Sequence, residues 1–285
     1  MKRLSLLFIL LIAAAFILFY ISGKINPGTQ AREAMDPIEE SHEEGFQLED
    51  DLQESESAEE EQEDNQTDSE VEPESEIQVP IPGTEEFYKG VTVVDKPDEL
   101  SVLVNKKNVL KSDYEPSDLV KPEVFAPGRS EIEMFMREEA AEAVLELVNA
   151  AEEEDNLVIL PASAYRSYDL QAIIFENNIS RKGSVEKANE TSALPGQSEH
   201  QTGLAVDMSC SSVGYQINNS FNDTEEAKWL ANNAHRFGFI IRYPEGKTEI
   251  TGYNYEPWHL RYVGKEMAKE IYEEDLTLEE YLEKQ

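Results

Sequence analysis

Between residues 33 and 88 the chain carries 23 Asp and Glu and not one Lys or Arg. No other feature restricts its fold as much. A run dominated by Glu, Asp, Ser and Gln buries too little apolar surface to offset the entropy of ordering it. Its like charges repel and extend it. Residues 24–85 therefore read as a solvated acidic tether. Cation capture and repulsion from an anionic polymer are sharper roles that composition does not separate. The core must come from residues 86–285, about 200 residues, enough for one domain with a sizeable interior.

Charge excludes one class of partner. The formal net charge is −36, and residues 89–285 still hold 37 acids against 20 bases. Nucleic-acid binding needs a basic footprint, and none exists. The one cysteine, Cys210, excludes an internal disulfide framework and a CxxC-type zinc site. It follows a short apolar stretch and reads as a small core filler.

Leu4–Ile21 is almost entirely apolar and follows Lys2 and Arg3. Such a run spans a hydrocarbon core as a helix, which takes about 20 residues. The flanking positive charge keeps the short end in the cytoplasm. A cleaved signal peptide is the rival, but its apolar region is shorter, and Ala13, Ala14 and Ala15 sit in mid-run. The expectation is a single-pass anchor over residues 1–23, with everything after it extracytoplasmic, or a secreted chain if the segment is cleaved.

The remaining chain alternates between helical and extended patterning. Val102–Leu110 reads as an extended lead-in. Glu131–Glu153 has helical periodicity, with Ile132, Phe135, Met136, Ala140, Ala143, Val144, Leu147 and Val148 at three- and four-residue steps. Leu157–Leu160, Leu204–Met208, Phe239–Arg242 and Trp258–Arg261 read as strands. Ser167 is placed to cap a helix through Asn177, with Leu170, Ile173 and Ile174 facing inward. Asp223 or Thr224 caps a helix that carries Ala227, Leu230, Ala231 and Ala234 and ends near Gly238. A helix over Gly264–Glu274 and a short one from Leu278 close the chain. The fold class is α+β: helices flanking a small antiparallel sheet in a single domain.

The chain has four histidines. His42 lies in the tether, and His235 ends a helix, where a cation opposes the dipole favourably. His200 and His259 sit in denser company. In Ser198-Glu199-His200-Gln201-Thr202-Gly203-Leu204-Ala205-Val206-Asp207, a polar loop runs into an apolar strand carrying an acid. Imidazole and carboxylate are zinc ligands, and catalytic sites keep one position open for water. Glu256-Pro257-Trp258-His259 offers a second imidazole three residues after a carboxylate, which can sit beside a metal as a general base. Taken singly, each of these histidines is more often structural than a ligand. As a set they are far more specific.

The run SEHQTGLAVD resembles the SxHxxGxAxD motif of the VanY-like zinc D,D- and L,D-carboxypeptidases of bacteria. EPWH is similar to that family's ExxH motif. Ser163-Ala164-Tyr165-Arg166-Ser167, followed by Gln171, resembles its SGYRS-x3-Q. The three occur in the family's order, and the resemblance spans roughly Val102–Gly264. It implies one Zn²⁺ per chain held by His200, Asp207 and His259, with Glu256 as the catalytic base and later the proton donor. It implies that Arg166 binds substrate or stabilises the oxyanion, two roles that remain open. Ser198, Gln171, Tyr165 and Trp258 are weaker substrate-contact candidates. Ala164 departs from the family's glycine and questions how closely Arg166 is placed.

The implied activity is removal of a C-terminal D-alanine from the stem peptide of peptidoglycan, D,D- or L,D-specific. The lack of paired cysteines suits a bacterial exterior. Two rivals stand beside it. One is a non-catalytic wall-binding or sensor module on the same fold, which has no need of Glu256. The other is a structural zinc protein, disfavoured because such sites are cysteine-rich and closed.

Overall fold

The computed structural model describes residues 79–285. The expected anchor, the bulk of the expected tether and His42 lie outside these residues. Among the described residues no helix is long and apolar enough to cross a membrane.

The domain is built on a four-stranded antiparallel sheet. Its strands are β1 (Ile159–Ser163), β2 (Ala205–Cys210), β3 (Phe239–Tyr243) and β4 (Glu256–Tyr262), in the order β1-β2-β4-β3. The four apolar runs of the sequence are these strands, shifted or extended by one to three residues. Side chains alternate across a sheet. On β2, Val206, Met208 and Cys210 enter the main core with Leu260 and Tyr262 of β4. Asp207 therefore projects to the other face, directly opposite His259. Cys210 is the buried core residue its context predicts.

Helix α1 (Glu138–Asp155) covers the core face with Ala140, Val144, Leu147, Val148 and Ala151. Each fully buried Leu or Val contributes about 1.5–3 kcal/mol. The helix starts later than its periodicity suggests. Glu131–Glu133 forms a 3-10 turn, and Met136–Arg137 pairs with Leu119–Val120. The cause is tertiary. Arg137 N donates to Gly203 O (2.9 Å), and its guanidinium grips Asp118 at 3.0 Å. Ile132 is consequently exposed. The helix ends at Asn156, whose left-handed backbone lets its own N–H reach Glu152 O (3.0 Å) and the N–H of Leu157 reach Ala151 O (3.1 Å).

Helix α2 (Tyr168–Lys182) begins where Ser167 caps Leu170 N, as expected, and runs five residues past Asn177 to Gly183. Its inward face differs from the expected one. Tyr168, Gln171, Phe175 and Asn178 are buried, Leu170 and Ile174 are half-buried, and Ile173 points to solvent. Phe175 joins a second cluster with Ile81, Tyr88, Ala188 and Leu194, and this fixes the helix's rotation. Helix α3 (Glu225–Asn233) is capped by Thr224 rather than Asp223. Helices α4 (Lys265–Glu273) and α5 (Leu278–Glu283) close the chain, the last with a full capping box between Thr277 and Glu280. Most of the extended lead-in is loop. Asn108–Val109 alone pairs, in parallel with Thr92–Val93.

Gly203 positions the site. It sits at φ +67° at the end of the 3-10 turn that carries His200, and a Cβ there would lie 2.9 Å from both Arg137 Cγ and Leu119 Cδ2. Gly203→Ala is expected to cost about 1–3 kcal/mol from the combined backbone and packing strain. Urea unfolding measures it; an unshifted midpoint would mean that the turn does not depend on this close approach.

Candidate metal centre

Three elements bring the candidate ligands together. The 3-10 turn Glu199–Thr202 carries His200, β2 carries Asp207 and β4 carries His259. All three side chains are buried, and their potential ligand atoms lie within 4.8 Å of one another. The imidazole of His200 is oriented by Nδ1, 2.6 Å from Ala164 O, which leaves Nε2 facing Asp207 Oδ2 at 3.4 Å. Asp207 Oδ1 lies 3.0 Å from His259 Nδ1. His259 Nε2 faces Glu199 Oε2 at 3.5 Å, the edge of hydrogen-bond range, and neither atom has another partner. His200 is thus held through one nitrogen, and each imidazole turns a nitrogen to Asp207. This donor set fits a divalent metal.

Protonation follows from these contacts. Burial, with Arg166 nearby, pushes His200 down to about 4 despite Asp207. Burial also opposes charge on His259, but Asp207 and Glu199 outweigh it and lift the imidazole to about 9. Burial raises Asp207 as well, yet the two histidines hold it well below the ordinary carboxylate value. Without a metal, a proton on His259 supplies the positive charge that this cluster draws in.

Around the set opens a cavity of ≈ 1070 Å³. Glu256, the first residue of β4, lines it without joining the ligand set. Burial lifts its carboxyl to about 7; Asp207 adds to the rise, while His259 and Arg166 oppose it. Arg166 lies on the cavity wall between two anchors. Nη2 donates to Asp207 Oδ2 (3.0 Å) and Nη1 to Gln171 Oε1 (3.1 Å), whereas buried Nε has no partner. Ala164 leaves this placement intact. It adopts no left-handed backbone, and its carbonyl is the one that orients His200.

The sequence model of the family described as VanY, D-alanyl-D-alanine carboxypeptidase, matches residues 133–265. A putative carboxypeptidase YodJ of Bacillus subtilis (strain 168) is 50% identical over 196 residues, which cover 68% of this chain and 71% of that protein. The chain belongs to the VanY family of D-alanyl-D-alanine carboxypeptidases. A solved structure of the LdcB LD-carboxypeptidase, described as revealing the basis of peptidoglycan recognition, is similar at 49% identity. The match covers 68% of this chain and 91% of that one, with a TM-score of 0.64. The vancomycin-resistance D,D-pentapeptidase VanY, solved with Zn(II), matches at 36% identity with a TM-score of 0.53, covering 64% of this chain and 98% of that one.

Within this VanY-family cleft the weaker candidates separate. Ser198 lines the cavity, and its hydroxyl caps nothing. Gln171 lines it too, but both its polar atoms are engaged, Oε1 by Arg166 and Nε2 with Ala193 O (2.7 Å); its placement orients Arg166. Trp258 belongs at once to the cavity wall and to the core. Tyr165 is buried and is not among the cavity-lining residues, so the expected pocket wall is corrected there. His235 is corrected as well. It stacks on Tyr272 at 3.7 Å, and burial with Arg236 lowers its pKa, so it is no helix-end cation.

Glu199 was not singled out from sequence. It is fully buried, and Oε1 accepts from Arg242 Nε and Arg261 Nη1, each at 2.7 Å. Arg242 in turn forks onto Glu279 of α5 at 2.9 and 2.7 Å. The available signal was a charged residue inside two apolar strands, Arg242 in β3 and Arg261 in β4. Such residues are buried only when paired.

Two outcomes are expected. Glu199→Ala leaves buried Arg261 without a carboxylate and Arg242 with Glu279 alone, and should destabilise the fold by about 3–5 kcal/mol in chemical unfolding. A cost under about 1 kcal/mol would mean that water reaches the cluster. Metal binding near neutral pH should release a proton from His259, so apparent affinity weakens as pH falls below about 9. Competition with a chelator across that range measures it; a flat profile would contradict a charged His259 in the metal-free protein.

Proposed function

We propose that this chain is a zinc-dependent carboxypeptidase that removes a C-terminal D-alanine from peptidoglycan stem peptides. The observation that carries the reading is a buried His200–Asp207–His259 set with Glu256 beside it, outside the set, on the wall of one cleft. Nε2 of His200, a carboxylate oxygen of Asp207 and Nδ1 of His259 would hold the zinc. When bound, zinc supplies Lewis acidity at the scissile carbonyl and lowers the pKa of water.

The chain's own residues do the rest. A carboxyl lifted to about 7 is poised to exchange protons near neutrality. Glu256 takes a proton from the attacking water and returns it to the leaving D-alanine amine as the C–N bond breaks. Arg166, held by Asp207 and Gln171, presents a fixed guanidinium to the cavity. There it stabilises the developing oxyanion or grips the terminal carboxylate. The Ser198 hydroxyl is free to bond substrate, and Trp258 gives the cleft an apolar wall. This machinery serves D,D and L,D bonds alike.

We also propose that the domain works outside the membrane, anchored by residues 1–23 and spaced from it by the acidic tether. The apolar run Leu4–Ile21 behind Lys2 and Arg3 supports this. The wall substrate lies just beyond a bilayer, within reach of such a tether.

Glu256→Gln is expected to keep stoichiometric zinc while kcat falls by about 10²–10⁴-fold. Mass spectrometry of muropeptides, with and without a chelator, reads the reaction. Pentapeptide shortened to tetrapeptide marks D,D activity, and tetrapeptide shortened to tripeptide marks L,D activity. Undiminished turnover in the variant would remove Glu256 from the mechanism. Chelator-insensitive cleavage would remove the metal. His200→Ala is expected to lose stoichiometric zinc, and full occupancy by elemental analysis would refute the ligand set.

A further inference from the structure

The domain has an excess of acids, and its arginines are mostly spoken for. Among the described residues Arg137, Arg166, Arg236, Arg242 and Arg261 each pair with a carboxylate. Arg129 and Arg181 have no such partner among the described residues, and both line the cleft. Lys182, next to Arg181, lines it as well and is likewise without an ion pair there.

Helix α2 explains how Arg181 and Lys182 come to face the cavity. Gln171, Ile174, Asn178, Arg181 and Lys182 all line it. Their spacing from Gln171 is three, seven, ten and eleven residues, one stripe of an α-helix. The acids of this helix, Asp169 and Glu176, are exposed and outside the cavity lining. One end of the stripe is chemical, since Gln171 holds Arg166. The other end is cationic. Buried Asn178 accepts from Arg181 Nη2 through Oδ1, which fixes one edge of the guanidinium. Basic residues in a last turn also offset the helix dipole. That effect holds at any rotation about the axis and does not account for both cations lying on the cavity stripe. Arg129 differs in having Glu133, an acid four residues away, in the same lining.

We propose that Arg181 and Lys182 form an anion subsite at the far end of the cleft, which takes a free carboxylate of the substrate peptide upstream of the scissile bond. The inference rests on the carboxypeptidase reading and narrows it: the preferred substrate is an acidic peptide. Arg181 lies roughly 15 Å along the helix axis from Gln171 at 1.5 Å per residue. An extended peptide advances about 3.3 Å per residue. Allowing for the reach of the arginine side chain, the carboxylate falls roughly two to four residues before the leaving D-alanine.

The test uses the zinc-loaded full chain and the double variant Arg181→Gln/Lys182→Gln. Two peptides share the same cleavable C-terminal D-alanine and differ upstream only in a free carboxylate or its carboxamide. The wild type should prefer the carboxylate peptide by about tenfold in kcat/KM, carried by KM. In the double variant the preference should collapse to within about twofold, with the carboxamide peptide cleaved as before. Equal treatment of the two peptides by the wild type would overturn the subsite. So would an intact preference in the variant, or equal loss on both peptides. Fluorescence anisotropy of the same peptides, labelled, on Glu256→Gln protein with and without the double substitution reads affinity alone. Failure of the wild type to cleave either peptide would count against the carboxypeptidase reading. The anisotropy difference would still uphold or overturn the subsite.

Discussion

The carboxylate of Glu199 organises the architecture around the metal centre. It is sealed from water with two arginines and an imidazole around it. Burying such charges is expensive, and the cost is met only when every group finds a partner. Those partners come from different parts of the chain. Arg242 belongs to β3, Arg261 and His259 to β4, and Glu279 to α5. Arg261 also donates to Leu100 O and Val102 O, which draws the early loop onto the sheet. Ligand placement and fold stability therefore share one set of interactions.

Strand alternation then divides the labour. On β2 and β4 the core-facing residues Val206, Met208, Leu260 and Tyr262 give cohesion. The intervening Asp207, His259 and Arg261 face the site and its ionic support. A register shift between Pro161 and Ser163 near the end of β1 lets the chain turn there. Immediately beyond it, the Ala164 carbonyl orients His200, and Arg166 N donates to His200 O at 3.2 Å. The Ser163–Ser167 run is thus structural support for the turn that carries His200 before it is substrate machinery.

The cleft follows from where α2 is pinned. Phe175 and its cluster fix the rotation of the helix, and that rotation turns Gln171 towards Arg166 and Arg181 towards the open end. A hydrophobic contact thereby sets the direction along which a peptide can lie. Glu256 gains its raised pKa from the same geometry, being recessed in the wall yet open to the cavity.

The sequence by itself nominated the candidate site. His200 with Asp207, and Glu256 with His259, were readable as candidates because each pair stands within one short run, while Arg166 came from the resemblance that its own run carries. It also determined the four strands of the main sheet, since an apolar run between turn residues has few other uses. The tertiary structure alone decided which residues pair over long separations. Glu199 meets Arg242 43 residues away, and no local pattern encodes that. It decided the start of α1, where pairing of Met136–Arg137 with Leu119–Val120 overrode helical periodicity. It turned Tyr165 away from the cleft and Ile173 to solvent, because a helix or strand face is chosen by what packs against it rather than by propensity.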